Sequence, residues 1–205
     1  MSIIKIRFLQ KYFTFFDLQL KLRPTEKEVL GLEYWNDLLF VRLLSILLPL
    51  SFLIVVPSIL MCFNLQMYFL GEIDLLAFST VLIISISKAI NLQTKKWIFI
   101  AVAYVLSVSL LFIMKSTGPA LIYMLGITLI TTLILNSKCG YYSVILNFLI
   151  LMFYVLNYRF GNPALQNLYN ILLIPRLVVH ANFLFINIFS VYAIWLLVNL
   201  FLIHI

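Results

Sequence analysis

The sequence predicts an all-α polytopic membrane protein, a bundle of six transmembrane helices with a short amphipathic N-terminal head. Three observations predict it. Hydrophobic residues make up 64% of the chain and charged residues 10%, against roughly a half and a quarter in a water-soluble domain. The apolar residues gather into six runs, each near the roughly 20 residues a helix needs to cross about 30 Å of hydrocarbon. The segment ahead of them holds about half of all the charged side chains, so polar and apolar parts are separated along the chain. These observations divide it into a cytoplasmic or interfacial head, residues 1–37, and a transmembrane domain, residues 38–205.

In the head, Lys5, Arg7 and Lys11 alternate with Ile3, Ile4, Phe8, Leu9, Tyr12, Phe15 and Phe16. A basic, aromatic-rich helix of this kind lies in the headgroup region. A cleaved signal peptide would instead pass at once from basic residues into an apolar core. Thr25, followed three residues later by Glu28, is a capping-box pattern that predicts a short helix over about 26–36. Tyr34 and Trp35 then fall where an aromatic belt belongs.

The first span is read over about 38–62. It contains Arg42, Pro49 and Pro57, and because each proline removes a backbone donor, the helix is expected to bend or unwind twice. The second span covers about 73–90, entered through Glu72 and Asp74. The third covers 97–114 and the fourth 120–135, with Gly118 and Pro119 in the turn between them. The fifth, 141–156, is short. A connection over 157–176 follows, whose apolar stretch 168–174 reads as a re-entrant or interfacial helix. The sixth, 177–203, is about 40 Å long at 1.5 Å per residue and must tilt or protrude.

Orientation follows from lysine and arginine. With the N-terminus inside, Lys5, Arg7, Lys11, Lys21, Arg23, Lys27, Lys88, Lys95, Lys96 and Lys138 are cytoplasmic, against Lys115, Arg159 and Arg176 outside. This asymmetry predicts an inner-membrane protein with both termini cytoplasmic. It also accounts for the net charge of +7 through anionic lipid and topology, so nucleic acid is not an expected partner.

Ionisable residues at the ends of spans are the default functional pointers in a membrane protein. Glu72, Asp74, Lys115, Arg159, Arg176 and His180 fall on the predicted outer side. They mark a candidate polar pocket for a small or amphiphilic ligand, against the simpler reading of solvated loop ends. Arg176 and His180, spaced i to i+4, share one helix face. Asn147, Asn182, Asn187 and Asn199, with Ser45, Ser51, Ser79, Ser85, Ser107, Ser109 and Ser190, suit hydrogen bonding between helices better than a conduction path. Cys62 and Cys139 fall on opposite sides and are expected to form neither a disulfide nor a metal site. No hydrolase, metalloprotease or phosphate-loop signature is present, so neither enzymatic activity nor a cofactor is expected.

Four segments carry a family resemblance: NDLLFVRLLSILLPLSFLIVVPSIL at 36–60, LQTKK at 92–96, TGPAL at 117–121 and NFLIL at 147–151. In this order and spacing they resemble the N-terminal multi-pass sensor region of bacterial sensor histidine kinases, over about residues 34–203. The resemblance implies a receptor-like module that passes a membrane or extracytoplasmic signal through its last helix to a cytoplasmic output domain. It implies membrane lipids as surroundings and a homodimer or a partner kinase as company. Pro49 and Pro57 are then the candidate signalling bends. No phosphoacceptor helix or ATP-binding domain follows within the 205 residues. The phosphoacceptor role is therefore not transferred to His204, and kinase activity of this polypeptide is not expected. The alternative from another class is a small transporter or channel subunit for a lipid-like or uncharged solute.

Overall fold

The computed structural model describes residues 32–113, 117–160 and 166–203, together with Thr14. Apart from Thr14, residues 1–31 of the head, the Thr25–Glu28 capping pattern among them, lie outside the described residues. Among the described residues six helices follow one another: α1 (Leu32–Asn64), α2 (Tyr68–Ile86), α3 (Leu92–Ile113), α4 (Thr117–Ile134), α5 (Ser137–Phe160) and α6 (Gln166–Ile203). Each contains a stretch long and apolar enough to cross a membrane, and helices meet the demand that every backbone donor in lipid be satisfied within its own segment. The chain is a multi-pass membrane protein.

The helix boundaries differ from the predicted spans for identifiable reasons. Apolar runs mark the part of a helix in hydrocarbon, whereas capping side chains let the helix begin earlier. The backbone N–H of Thr94 donates to Asn91 Oδ1 at 2.7 Å, and that of Cys139 donates to Asn136 Oδ1 at 2.8 Å. Each asparagine satisfies one of the free donors of a first turn, so α3 starts at Leu92 and α5 at Ser137, several residues ahead of the predicted spans. The second span is displaced as a whole toward the N-terminus: α2 starts at Tyr68 and ends at Ile86, where Ser87 turns extended. The apolar stretch 168–174 is not a separate re-entrant helix but belongs to α6, whose 38 residues extend about 57 Å.

Residues up to Leu106 form one compact unit and residues from Ser107 a second. In the first, α1 and α2 make an antiparallel hairpin. Its turn is a Schellman motif: Met67 N–H donates to Cys62 O at 2.8 Å and Gln66 N–H to Phe63 O at 3.2 Å, around Gln66 at φ 59°. Down the hairpin, Phe63 stacks edge-on with Tyr68 at 5.6 Å, and Phe52 meets Phe78 at 6.2 Å. Between them Gly71 packs so tightly that an added Cβ would stand 3.2 Å from Cys62 Cβ. The α1 helix does not unwind at Pro49 or Pro57: both fall inside one continuous helix and both are exposed. Their rings face away from the packed side, and the helix lacks only the bonds to the carbonyls of Ser45 and Leu53. The first half of α3 joins this unit through Phe99, edge-on to the buried Phe40 at 5.9 Å.

In the second unit α4, α5 and α6 pack against one another pairwise. Buried residues recur on α5 at Gly140, Ser143, Val144, Asn147, Leu151 and Tyr154, and on α6 at His180, Phe183, Asn187 and Val191. These are helical seams of period three to four. The seams are layered. At one end lies an apolar cluster of Leu111, Ala120, Leu121, Met124, Leu151, Tyr154 and Phe183. At the other, Gly140 meets Thr132 and Val191: an added Cβ would overlap Thr132 Oγ1 and stand 3.2 Å from Val191 Cγ1. Polar residues fill the layer between.

Candidate functional site

The middle layer of the second unit concentrates hydrogen-bonding side chains where lipid makes them costly. Asn147 lies at the centre of the span Ser137–Asn157, and Asn187 is one residue from the centre of Val178–Val198. Both are fully buried, as is Thr128. An amide at this depth has no water to bond and must find partners in the protein.

The Thr128 hydroxyl organises the layer. It donates to Met124 O on its own helix at 3.0 Å, which leaves two lone pairs to accept. Asn147 Nδ2 of α5 lies 2.9 Å from it and Ser143 Oγ 3.0 Å. Asn147 Nδ2 is the donor to the threonine oxygen, which shares a hydroxyl–hydroxyl hydrogen bond with Ser143. Asn147 Nδ2 also reaches Met124 O at 3.3 Å and, across to α6, Asn187 Oδ1 at 3.4 Å. Asn187 Nδ2 turns back to Phe183 O of its own helix at 2.8 Å. One turn along α4, Thr132 Oγ1 donates to Thr128 O at 2.7 Å. Two buried oxygens in the unit, Thr131 Oγ1 and Asn147 Oδ1, receive no hydrogen bond from the described residues. Neutral amides and hydroxyls in this arrangement hold three helices in register, and none of them titrates.

A second polar feature joins three elements of the first unit. Lys96, in the first turn of α3, pairs with Asp37 of α1; the lysine is buried and the carboxylate half-exposed. Its neighbour Lys95, also buried, donates to Ser87 O just beyond the end of α2. An ammonium there faces the negative end of the α2 dipole as well as a free carbonyl. The two lysines thus link the ends of α1 and α2 to the start of α3.

With this geometry in place, residues 34–200 match the model of the MASE11 family. The chain belongs to that family, a family of multi-pass membrane-associated sensory domains. No curated protein and no solved structure matches it. The MASE11 match reaches into every helix described above and includes both polar features.

Within this MASE11 domain the residues expected to line an outer pocket stand as follows. Glu72 is exposed on α2. Asp74, half-buried two residues on, accepts a hydrogen bond from Ser58 Oγ at 2.7 Å, which ties α2 to the residue after Pro57. His180 is buried on α6. Lys115 lies outside the described residues, and so do the side chains of Arg159 on α5 and Arg176 on α6. Cys62 and Cys139 are free thiols. Among the described residues no three His, Cys, Asp or Glu side chains come together as a metal site.

Asn147 and Asn187 make the inter-helix bonds expected of them, whereas their partners Thr128 and Ser143 were not singled out from the sequence. Threonine and serine are common in membrane helices and bond their own i−4 carbonyls as readily as a neighbour. The signal that marks them is spacing: Thr128 and Thr132 on α4, and Gly140, Ser143 and Asn147 on α5, recur every three or four residues on one face. The Asp37–Lys96 pair was equally hidden, because the lysines read as cytoplasmic loop charge until the Asn91 cap places them in a helix.

Proposed function

We propose that this MASE11 domain is the membrane sensor of a histidine-kinase-type signalling system, and that it works by setting the position of α6 for a cytoplasmic output domain. The observation that carries this reading is α6 itself. It is the longest helix among the described residues, 38 residues, and its buried face meets both α4 and α5 through Phe183, Asn187 and Val191. A change in the packing of α4 and α5 must therefore move α6 or strain it, which is what a transmitting helix requires. Lysine and arginine asymmetry supports an inner-membrane location with both termini cytoplasmic. A homodimer or a partner kinase is the natural receiver, since kinases of this type act as dimers in the family the sequence resembles.

Pro49 and Pro57 make α1 the element with two arrangements, a helix missing two backbone bonds whose second gap adjoins the Ser58–Asp74 contact. The test is a chimera in which the full chain precedes an intact kinase core in the inner membrane. Pro49→Ala or Pro57→Ala is expected to change kinase output, because each restores a backbone bond and stiffens α1. Unchanged output in both, together with solute flux through vesicles carrying the chain, would contradict the sensor reading and favour a transporter.

A further inference from the structure

The amide groups at the centre of the second unit are arranged with one bond missing. The orientation of each is fixed by a carbonyl neighbour. Met124 O can only accept, so the Asn147 atom facing it at 3.3 Å is Nδ2; Phe183 O likewise fixes Asn187 Nδ2 at 2.8 Å. Asn147 Oδ1 is left buried and without a donor. The α5–α6 contact, Asn147 Nδ2 to Asn187 Oδ1 at 3.4 Å, is the longest of the layer's hydrogen bonds and lies beyond the usual range for N–H···O.

From this we infer that Asn147 and Asn187 form a two-position latch between α5 and α6. In the open position, the one described, Asn187 Nδ2 bonds its own helix at Phe183 O. In the closed position the same N–H donates to Asn147 Oδ1 while Asn187 Oδ1 keeps its bond from Asn147 Nδ2, giving a reciprocal amide pair.

The exchange conserves the number of bonds made by Asn187 Nδ2. It fills the empty acceptor of Asn147. Phe183 O loses nothing essential, because in a helix it still accepts the backbone N–H of Asn187 four residues on. Closure is opposed by packing, since α6 must draw in along a seam that is already tight where Val191 meets Gly140. An unsatisfied buried acceptor on one side and a crowded seam on the other balance two arrangements of the same residues. The latch is a property of the fold; its use in signalling rests on the reading of α6 as the transmitting helix.

The test is nuclear magnetic resonance of the full chain in lipid nanodiscs, with the Asn187 side-chain amide labelled with 15N and assigned by its loss in Asn187→Ser. Two Asn187 Nδ2 environments, or an exchange contribution between them, are expected in the wild type, collapsing to one in Asn147→Leu. If Asn147→Leu fails to fold, as judged by its backbone fingerprint, Asn147→Ser is used: its hydroxyl is too short to reach α6, so it too leaves one environment. Exposed Asn182 is the control, and Asn182→Ser leaves both environments in place. A single, non-exchanging Asn187 amide in the wild type would overturn the latch, as would two environments that persist without the Asn147 amide. These outcomes are read from the side chain alone. A latch that is present while kinase output in the chimera stays constant would count against the sensor reading and not against the latch.

Discussion

Gln66 holds a left-handed backbone, φ 59°, in the turn between α1 and α2. The Schellman motif demands that conformation, and an L side chain with a Cβ adopts it at a penalty of about 1 kcal/mol that glycine avoids. Gln66→Gly is therefore expected to stabilise the chain by about 1 kcal/mol, less the entropy glycine adds to the unfolded state. A higher midpoint for unfolding in bicelles would register it. Gly140 presents the opposite case. A single methyl there meets Thr132 Oγ1 and Val191 Cγ1, and in a close-packed seam Gly140→Ala is expected to cost about 1–3 kcal/mol. The same unfolding measurement checks it, with Gly126→Ala, where an added Cβ meets nothing within 4 Å, as the near-neutral comparison.

At the scale of elements, the six spans were legible because a helix in lipid needs about 20 apolar residues in sequence and little else produces such runs. Their ends were not. Asn91 and Asn136 draw polar residues into first turns, Lys95 and Lys96 among them, that hydropathy assigns to loops. The prolines of α1 were legible as residues, but the unwinding expected at them does not occur: a transmembrane helix tolerates them where their rings point away from packed neighbours, and α1 stays continuous. The Asp37–Lys96 pair joins residues far apart in sequence, and nothing in local pattern announces it. Replacing Asp37 by Ala leaves a buried ammonium without its carboxylate. The expected loss is about 1–2 kcal/mol, reduced from the cost of breaking a fully buried pair because Asp37 is half-exposed. Removing both charges, as Asp37→Ala with Lys96→Met, is expected to recover much of that loss, and a double-mutant cycle on unfolding free energies measures the coupling.

For the whole molecule, membership of a family of membrane-associated sensory domains joins a physical arrangement suited to transmission. The asparagines of the polar layer were legible as membrane-embedded amides; their convergence on Thr128 was not, because it depends on which faces of α4, α5 and α6 meet. That convergence ties the last helix to two others at mid-membrane depth. If α6 transmits the signal as proposed, a rotation of the helix changes what reaches an output domain according to the phase of the helix at its end. The most direct measurement inserts one to four alanines between Ile205 and a fused kinase core and records signalling output from each chimera. Output that rises and falls with a period of about 3.6 residues is the expected result. Output that is indifferent to the number inserted would contradict transmission through α6.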